Sequence, residues 1–297
     1  MLTSEERLSI GLKALESIKP LTRPQSQRSQ HSYREETSTI ESDFLDHLEE
    51  EFLEERKVSS LVLPSLHTLL SQIGPLSPFA IVLGSCEDGL PFLLDLTNPV
   101  PGALLITGDP GCGKTRLLRS MLASSVLLNT PEQVAFSILT QSPNEYLDLG
   151  EAQNCLELAV PEEKVAGALV RTMVAATEKS RPLDADGPAT ILAIDDLAGC
   201  LQSMDEQTLN CLHWLVSEGS RYRVWVIATL SSEQADLIDK RILAAFRTRL
   251  VGRILAPECS SYLAGDTFSG AQDLAAGYQF SVPFGEEWIR FWICDAD

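Results

Sequence analysis

No Cys-x-x-Cys pair occurs in this 297-residue sequence, although it holds seven cysteines. They are scattered at Cys86, Cys112, Cys155, Cys200, Cys211, Cys259 and Cys294, without a nearby histidine cluster. That excludes a zinc ribbon and a small disulfide framework. An odd number of cysteines suits a reducing compartment, and the expected location is cytoplasmic. The opening stretch MLTSEERLSIGLKALESIKP lacks a basic region followed by an apolar one, so it does not read as a secretory signal. No apolar run approaches the roughly 18–20 residues that span a bilayer, so no integral membrane segment is expected. Positive charge is scarce. The 23 Lys and Arg face 42 Asp and Glu, for a formal net charge of −19. That balance argues against a protein that coats nucleic acid non-specifically, and leaves room for a local basic surface. Residues 58–113 contain no Lys or Arg at all.

What is present points to a globular protein. Apolar residues make up 44% and charged residues 22%, too apolar for a disordered chain. The length suffices for one large core or two modest ones. The acid excess is spread along the chain: residues 1–60 carry 13 acids and 8 bases, and residues 61–297 carry 29 and 15.

The pattern predicts a helical, acidic N-terminal segment over 1–77 and an α/β body over 78–297. In the segment, Leu8, Leu12, Leu15 and Ile18 recur at helical spacing behind a capping stretch, Thr3-Ser4-Glu5-Glu6. Residues 20–38 are rich in Ser, Gln and Arg, with Pro20 and Pro24, and read as a flexible linker. Ile40, Phe44, Leu48 and Phe52 then lie four apart among ten acids between Glu35 and Glu55. Such a helix either covers the body or docks a protein partner.

In the body, β-rich runs at 80–84, 91–96, 103–107, 134–140, 190–194, 224–229 and 248–255 alternate with helical stretches near 114–128, 161–178, 204–218 and 233–246. Alternation of this kind predicts an α/β domain with a mostly parallel central sheet. Runs at 277–282 and 288–294 read as a closing hairpin.

The sharpest motif is Gly108-Asp109-Pro110-Gly111-Cys112-Gly113-Lys114-Thr115, a full G-x-x-x-x-G-K-[ST] phosphate loop. The apolar run 103–107 leads into it and Arg116 continues into a helix. Its glycines let backbone N–H groups converge on phosphate oxygens, and the helix N-terminus adds partial positive charge. Lys114 is placed to reach the β- and γ-phosphates, and Thr115 to bind Mg²⁺. Cys112 reads as a permissive small residue, with a redox switch as the alternative. The expected cofactors are ATP and Mg²⁺.

A second motif, Thr190-Ile191-Leu192-Ala193-Ile194-Asp195-Asp196, is an apolar strand ending in two carboxylates. Asp195 would hold the Mg²⁺ shell, and Asp196 would polarise the attacking water. Thr229, at the end of the 224–229 strand, would sense the γ-phosphate or orient water; a turn residue is the alternative. Lys240, Arg241, Arg247, Arg249 and Arg253 form the one basic cluster of the body. An arginine inserted by a neighbouring subunit can stabilise transition-state charge. Arg247 and Arg249 are candidates for that role, Arg221 and Arg223 further ones, and a solvated basic helix end is the alternative for each.

Together the motifs resemble the motor domain of FtsK/HerA-type ATPases. The resemblance covers about 78–297. It runs through Ile81-Val82-Leu83-Gly84, Gly89-Leu90-Pro91, Asp95-Leu96, Pro101-Gly102 into the loop, Ile194-Asp195-Asp196-Leu197-Ala198, Ala228-Thr229 and Ala244-Ala245-Phe246-Arg247-Thr248-Arg249-Leu250, and loosely through 272–280. It implies a RecA-like P-loop NTPase of the ASCE class. It also implies a hexameric ring with nucleotide between subunits and, as the leading reading, ATP hydrolysis coupled to translocation of DNA; protein cargo in a secretion branch is the alternative. A slow or non-hydrolysing ATP-binding scaffold is a further alternative. Three departures stand out. The family's Asp-Glu is Asp195-Asp196 here, which implies slow turnover. Its Ala-Thr-Gln is Ala228-Thr229-Leu230. Its Asp-Pro-Lys is replaced by Thr140-Gln141-Ser142.

Overall fold

Ten strands of one sheet are formed in a computed structural model that describes residues 63, 65–73, 76–179, 182, 188–264, 270–284 and 287–295. All of these lie in the unit Val58–Asp297. The N-terminal helices expected before residue 57, and the linker at 20–38, lie outside the described residues.

The strands are β1 (Ala80–Cys86), β2 (Pro91–Asp95), β3 (Leu104–Gly108), β4 (Val134–Thr140), β5 (Cys155–Ala159), β6 (Ala189–Asp195), β7 (Val224–Ser231), β8 (Thr248–Val251), β9 (Gln279–Phe284) and β10 (Glu287–Trp292). The α-helices are α1 (Leu66–Ile73), α2 (Lys114–Leu128), α3 (Leu147–Gly150), α4 (Glu163–Lys179), α5 (Leu197–Gln202), α6 (Glu206–Glu218), α7 (Lys240–Ala245) and α8 (Pro257–Ala264). The sheet order is β2-β1-β10-β9-β8-β3-β7-β6-β4-β5. From β8 to β5 neighbouring strands are parallel. From β9 outward they are antiparallel. The expected mostly parallel α/β sheet is therefore present, with an antiparallel flank.

The central parallel strands β3, β4, β6 and β7 are buried on both faces, which explains their nearly unbroken apolar runs. Successive side chains point to opposite faces. Leu104, Ile106, Ile191, Ala193, Trp225 and Ile227 pack with Leu117, Leu118, Met121 and Leu122 of α2. Leu105, Leu192, Ile194, Val226 and Ala228 pack on the other face with Leu169 and Val170 of α4 and Leu212 and Leu215 of α6. Helix α1, which precedes the boundary expected at 77/78, packs Leu66 and Leu69 against Val82 and Cys294. Its first residue donates N–H to the Asp295 carbonyl at 2.7 Å.

The structure differs from the sequence reading in four places. The helix expected over 233–246 is a 3₁₀ turn, Ser232–Leu237, followed by α7, with Ile238 extended between them. The strand expected over 248–255 stops at Val251. The edge strand β5 was not expected, because Leu156 and Glu157 are exposed on it and the alternation is broken. The short helices α3, α5 and α8 have no counterpart among the predicted helical stretches. Among the described residues, no helix is long and apolar enough to cross a membrane.

Candidate nucleotide site

Strand order brings the two motifs together. β7 lies between β3, which feeds the phosphate loop, and β6, which ends in the paired carboxylates. All three run in one direction, so their C-terminal ends share one edge of the sheet, where open α/β sheets bind ligands. Register sets the details. Ile106 pairs with Thr229 and Ile194 with Ala228, so Thr229 sits between the loop strand and Asp195. On the other side Thr140 pairs with Asp195.

The loop is held open by its glycines and closed by its neighbours. Gly113 is left-handed (φ 94°) and caps α2. A Cβ there would meet the Gly277 carbonyl oxygen at 2.5 Å, so only glycine fits beneath the 275–278 turn. The Asp109 carboxylate accepts from the Ser232 hydroxyl and, at 2.8 Å, from the Leu255 N–H. The Asp109 N–H donates to the Arg253 carbonyl at 2.8 Å. Cys112 is 1% exposed and fills the space under the loop beside Gly108 and Gly252. Burial pushes its thiol pKa up, which suits packing rather than reactivity. Pro110 and Gly111 are exposed at the loop crest.

The first turn of α2 has no side-chain cap and no acid, so its free N–H groups remain available for an anion. Lys114 Nζ donates to the carbonyls of Gly108 (2.9 Å) and Asp109 (2.8 Å), which holds the ammonium over the loop. A cleft of about 400 Å³ is lined by Gly111, Gly113, Lys114, Thr115, Arg116, Arg119 and Glu145. Three cations against one carboxylate make it suited to a polyphosphate. Arg116 is fixed by Asp295 at 2.7 Å and lies 4.7 Å from the Tyr278 ring centroid. A larger cavity, about 700 Å³ with Cys211, Trp214 and Tyr222 in its lining, holds none of the motif residues.

Asp195 is 8% exposed and accepts from three hydroxyls. Thr229 Oγ1 donates at 2.7 Å, Thr115 Oγ1 at 3.1–3.2 Å and the Tyr146 hydroxyl at 3.0 Å. Burial, and then the Asp195 charge, push the Tyr146 pKa far above its ordinary value, so it stays a donor. Asp196 is left-handed (φ 68°), and its carboxylate accepts from Gly199 N–H at 3.1 Å, capping α5. Its own N–H donates to Thr229 Oγ1 at 2.8 Å. Thr229 thus bridges both carboxylate residues.

The arginines divide. Arg247 precedes β8, which pairs Thr248 with Leu104 and Val251 with Thr107. It therefore lies at the edge where β3 begins, while the loop lies where β3 ends. β3 has five residues, so roughly 15 Å separates the two edges. The Arg247 stem packs over Gly102 (φ +65°), and Nη2 donates to the Ser217 carbonyl at 3.3 Å. With Arg221, Pro99, Val100 and Pro182 it lines a cavity of about 410 Å³. Arg249 is engaged inside the subunit: it donates to the carbonyls of Leu263 (2.7 Å), Tyr262 (3.1 Å) and Leu243 (3.1 Å). It ties together the C-terminal ends of α7 and α8, whose last carbonyls lack helical partners. Arg223 is buried, with its guanidinium 4.3 Å from the Phe79 ring centroid. Arg221 pairs with Glu218 and Arg241 with Asp239.

Sequence reasoning missed Tyr146, Ser232, Tyr278 and Asp295 at this edge. No local pattern marks them; register and long loops bring them in.

Among the described residues, no three His, Cys, Asp or Glu side chains converge to cage a metal. Thr115 and Asp195 do place two hard oxygens within 3.1 Å beside the loop. That fits Mg²⁺ sharing its shell with phosphate oxygens and water.

The model of the FtsK/SpoIIIE family matches residues 76–242, more than half of the chain. The ESX-5 secretion system protein EccC5 of Mycobacterium marinum is 24% identical over 197 residues, covering 58% of this chain and 14% of EccC5. The chain thus spans about a seventh of that relative. The cytoplasmic domain of the Thermomonospora curvata type VII secretion ATPase EccC superposes with a TM-score of 0.61 at 18% identity, over 79% of this chain and 32% of that one. The pCW3 conjugation coupling protein TcpA superposes with a TM-score of 0.63 at 17% identity, over 79% of this chain and 70% of that one. Both likenesses show a shared fold, the RecA-like P-loop ATPase domain. From the phosphate loop, the acidic strand beside it and this match, the chain belongs to the FtsK/SpoIIIE family.

Proposed function

We propose that this chain binds ATP with Mg²⁺ at the phosphate loop and hydrolyses it as one subunit of a hexameric ring motor, and that its cargo is protein. The observation that carries the reading is the meeting of Lys114, Thr115 and Asp195 at one edge of the sheet. Lys114 and the free N–H groups of α2 hold the β- and γ-phosphates. Thr115 and Asp195 would hold Mg²⁺, which when bound neutralises charge on the phosphate oxygens. The hydroxyl proton of Thr115 points at Asp195, which leaves its lone pairs free for a cation. Thr229 orients the second carboxylate through the Asp196 N–H. Asp196 takes the water-polarising role with its remaining carboxylate oxygen. Half of that group caps α5 and it is one methylene shorter than Glu, which supports slow turnover. Arg247 is assigned the role of completing a neighbour's site, because its own loop lies at the far edge. Arg249 is assigned a scaffolding role.

Charge supports the protein cargo. DNA tracking needs free Lys or Arg facing phosphates. Of the 240–253 cluster, Arg249 is engaged inside and Arg241 pairs with Asp239. The secretion proteins among the relatives agree with this. The similarity to a conjugation coupling protein favours the second reading, DNA cargo. An ATPase assay with and without double-stranded DNA separates them: turnover indifferent to DNA is expected, stimulation supports DNA, and binding without turnover means a scaffold.

A further inference from the structure

We propose that Tyr146 is a positioning residue for the metal-holding carboxylate, setting the orientation in which Asp195 meets Mg²⁺; the assignment rests on the ATP-binding reading above. Tyr146 ends a single 3₁₀ turn, Pro143–Tyr146, that follows β4. The turn forms because Ser142 N–H donates to Thr140 Oγ1 at 3.0 Å and Glu145 N–H to the Ser142 carbonyl at 3.0 Å, with Pro143 fixing the first φ. Since Thr140 pairs with Asp195 in register, the turn emerges beside Asp195 and drops the ring into the core at 0% exposure.

A buried tyrosine hydroxyl needs a partner, and a backbone carbonyl would serve. Here it donates instead to Asp195 Oδ2 at 3.0 Å, the oxygen that also faces Thr115 Oγ1 at 3.1 Å. Thr229 takes Oδ1 at 2.7 Å. A carboxylate offers about four lone-pair directions. Three hydroxyls occupy three of them and leave one, which suits a single water of a metal shell. Tyr146 is the donor that neither phosphate-loop nor strand-end chemistry supplies, and without it Oδ2 has Thr115 alone. The ring is also held from the cleft side. The Arg119 guanidinium lies 5.5 Å from its centroid and pairs with Asp148 at 3.0 Å, and Glu145 next to it lines the cleft. The same turn therefore touches the polyphosphate cleft and the carboxylate. Partners that orient a metal's ligands typically change metal affinity about 10–100-fold.

The test is a titration of Mg²⁺ against binding of a fluorescent ATP analogue to the full chain, read by fluorescence, with melting temperature alongside. Tyr146→Phe removes only the hydroxyl. It is expected to raise the Mg²⁺ midpoint about tenfold relative to wild type, measured against the affinity without metal as reference. In an Asp195→Asn background the same change should move the midpoint little, because the partner is altered. If Tyr146→Phe does not fold, Tyr146→Met, which fills the space without a donor, carries the same titration. An unchanged midpoint with nucleotide still bound overturns the assignment. So does equal weakening with and without Mg²⁺, which would mean that the ring only packs. A wild-type chain that binds no nucleotide sinks the ATP reading, and this inference with it.

Discussion

At the C-terminal edge of the parallel strands, Lys114, Arg116 and Arg119 surround a cleft and are held by carbonyls, carboxylates and rings of their own subunit. At the opposite edge, Arg221 and Arg247 line a cavity beside Pro99, Val100 and Pro182, with no phosphate loop near. The same kind of side chain serves two ends that differ in what backs them. The loop end has free helix N–H groups and a hydroxyl-ringed carboxylate, so it can bind polyphosphate alone. The Arg247 end lacks these and has only cations to offer. In the proposed reading, such a subunit carries a cradle at one edge and, at the other, an arginine that its own loop does not reach.

That contrast breaks most severely at the loop. Lys114→Ala should abolish nucleotide binding, and turnover should fall at least about 10³-fold, the upper range for losing one charge-stabilising donor. Equilibrium binding and phosphate release check both. Arg247→Ala should lower turnover by about 10³-fold, as for an arginine supplied in trans, at unchanged nucleotide affinity. Loss of binding instead would place Arg247 in its own subunit's site. Asp196→Asn keeps the cap on α5, because Asn and Asp cap equally well. It should leave the melting temperature near wild type and reduce turnover about 10²-fold. Asp196→Ala should add a cap loss of about 1 kcal/mol. Wild-type turnover in Asp196→Asn would remove the water-polarising role. The smallest effect on chemistry is expected from Arg249→Ala. It strips the bonds of three carbonyls at the ends of α7 and α8. A loss of about 2 kcal/mol in stability by denaturant unfolding, at unchanged nucleotide affinity, is expected.

Much of the loop end was legible from residues alone. Lys114, Thr115, Asp195 and Thr229 sit in contiguous stretches whose apolar runs announce buried strands, and the turn types needed glycine where glycine stands. The order of those strands was not legible locally, because β7 enters between β3 and β6 from 30 residues further on. Tyr146 was invisible for the same reason: its partner lies 49 residues away and is chosen by register. Arg249 and Arg247 look alike in sequence, two positions apart. In a strand that spacing puts both on one face, yet Arg247 precedes β8 and turns to Ser217, while Arg249 meets helix-end carbonyls. Helix 233–246 failed because Ser232 binds Asp109 of the loop and Ile238 is extended, which ends one turn before the next begins.

The most direct test of the two-ended subunit is complementation. Arg247→Ala chains keep an intact loop, and Lys114→Ala chains keep an intact arginine. Mixed in equal amounts with ATP and Mg²⁺, the two inactive variants should recover turnover well above the sum of their separate rates, because the interface that pairs the loop of an Arg247→Ala chain with the arginine of a Lys114→Ala chain is complete. A mixture no more active than that sum would contradict the account.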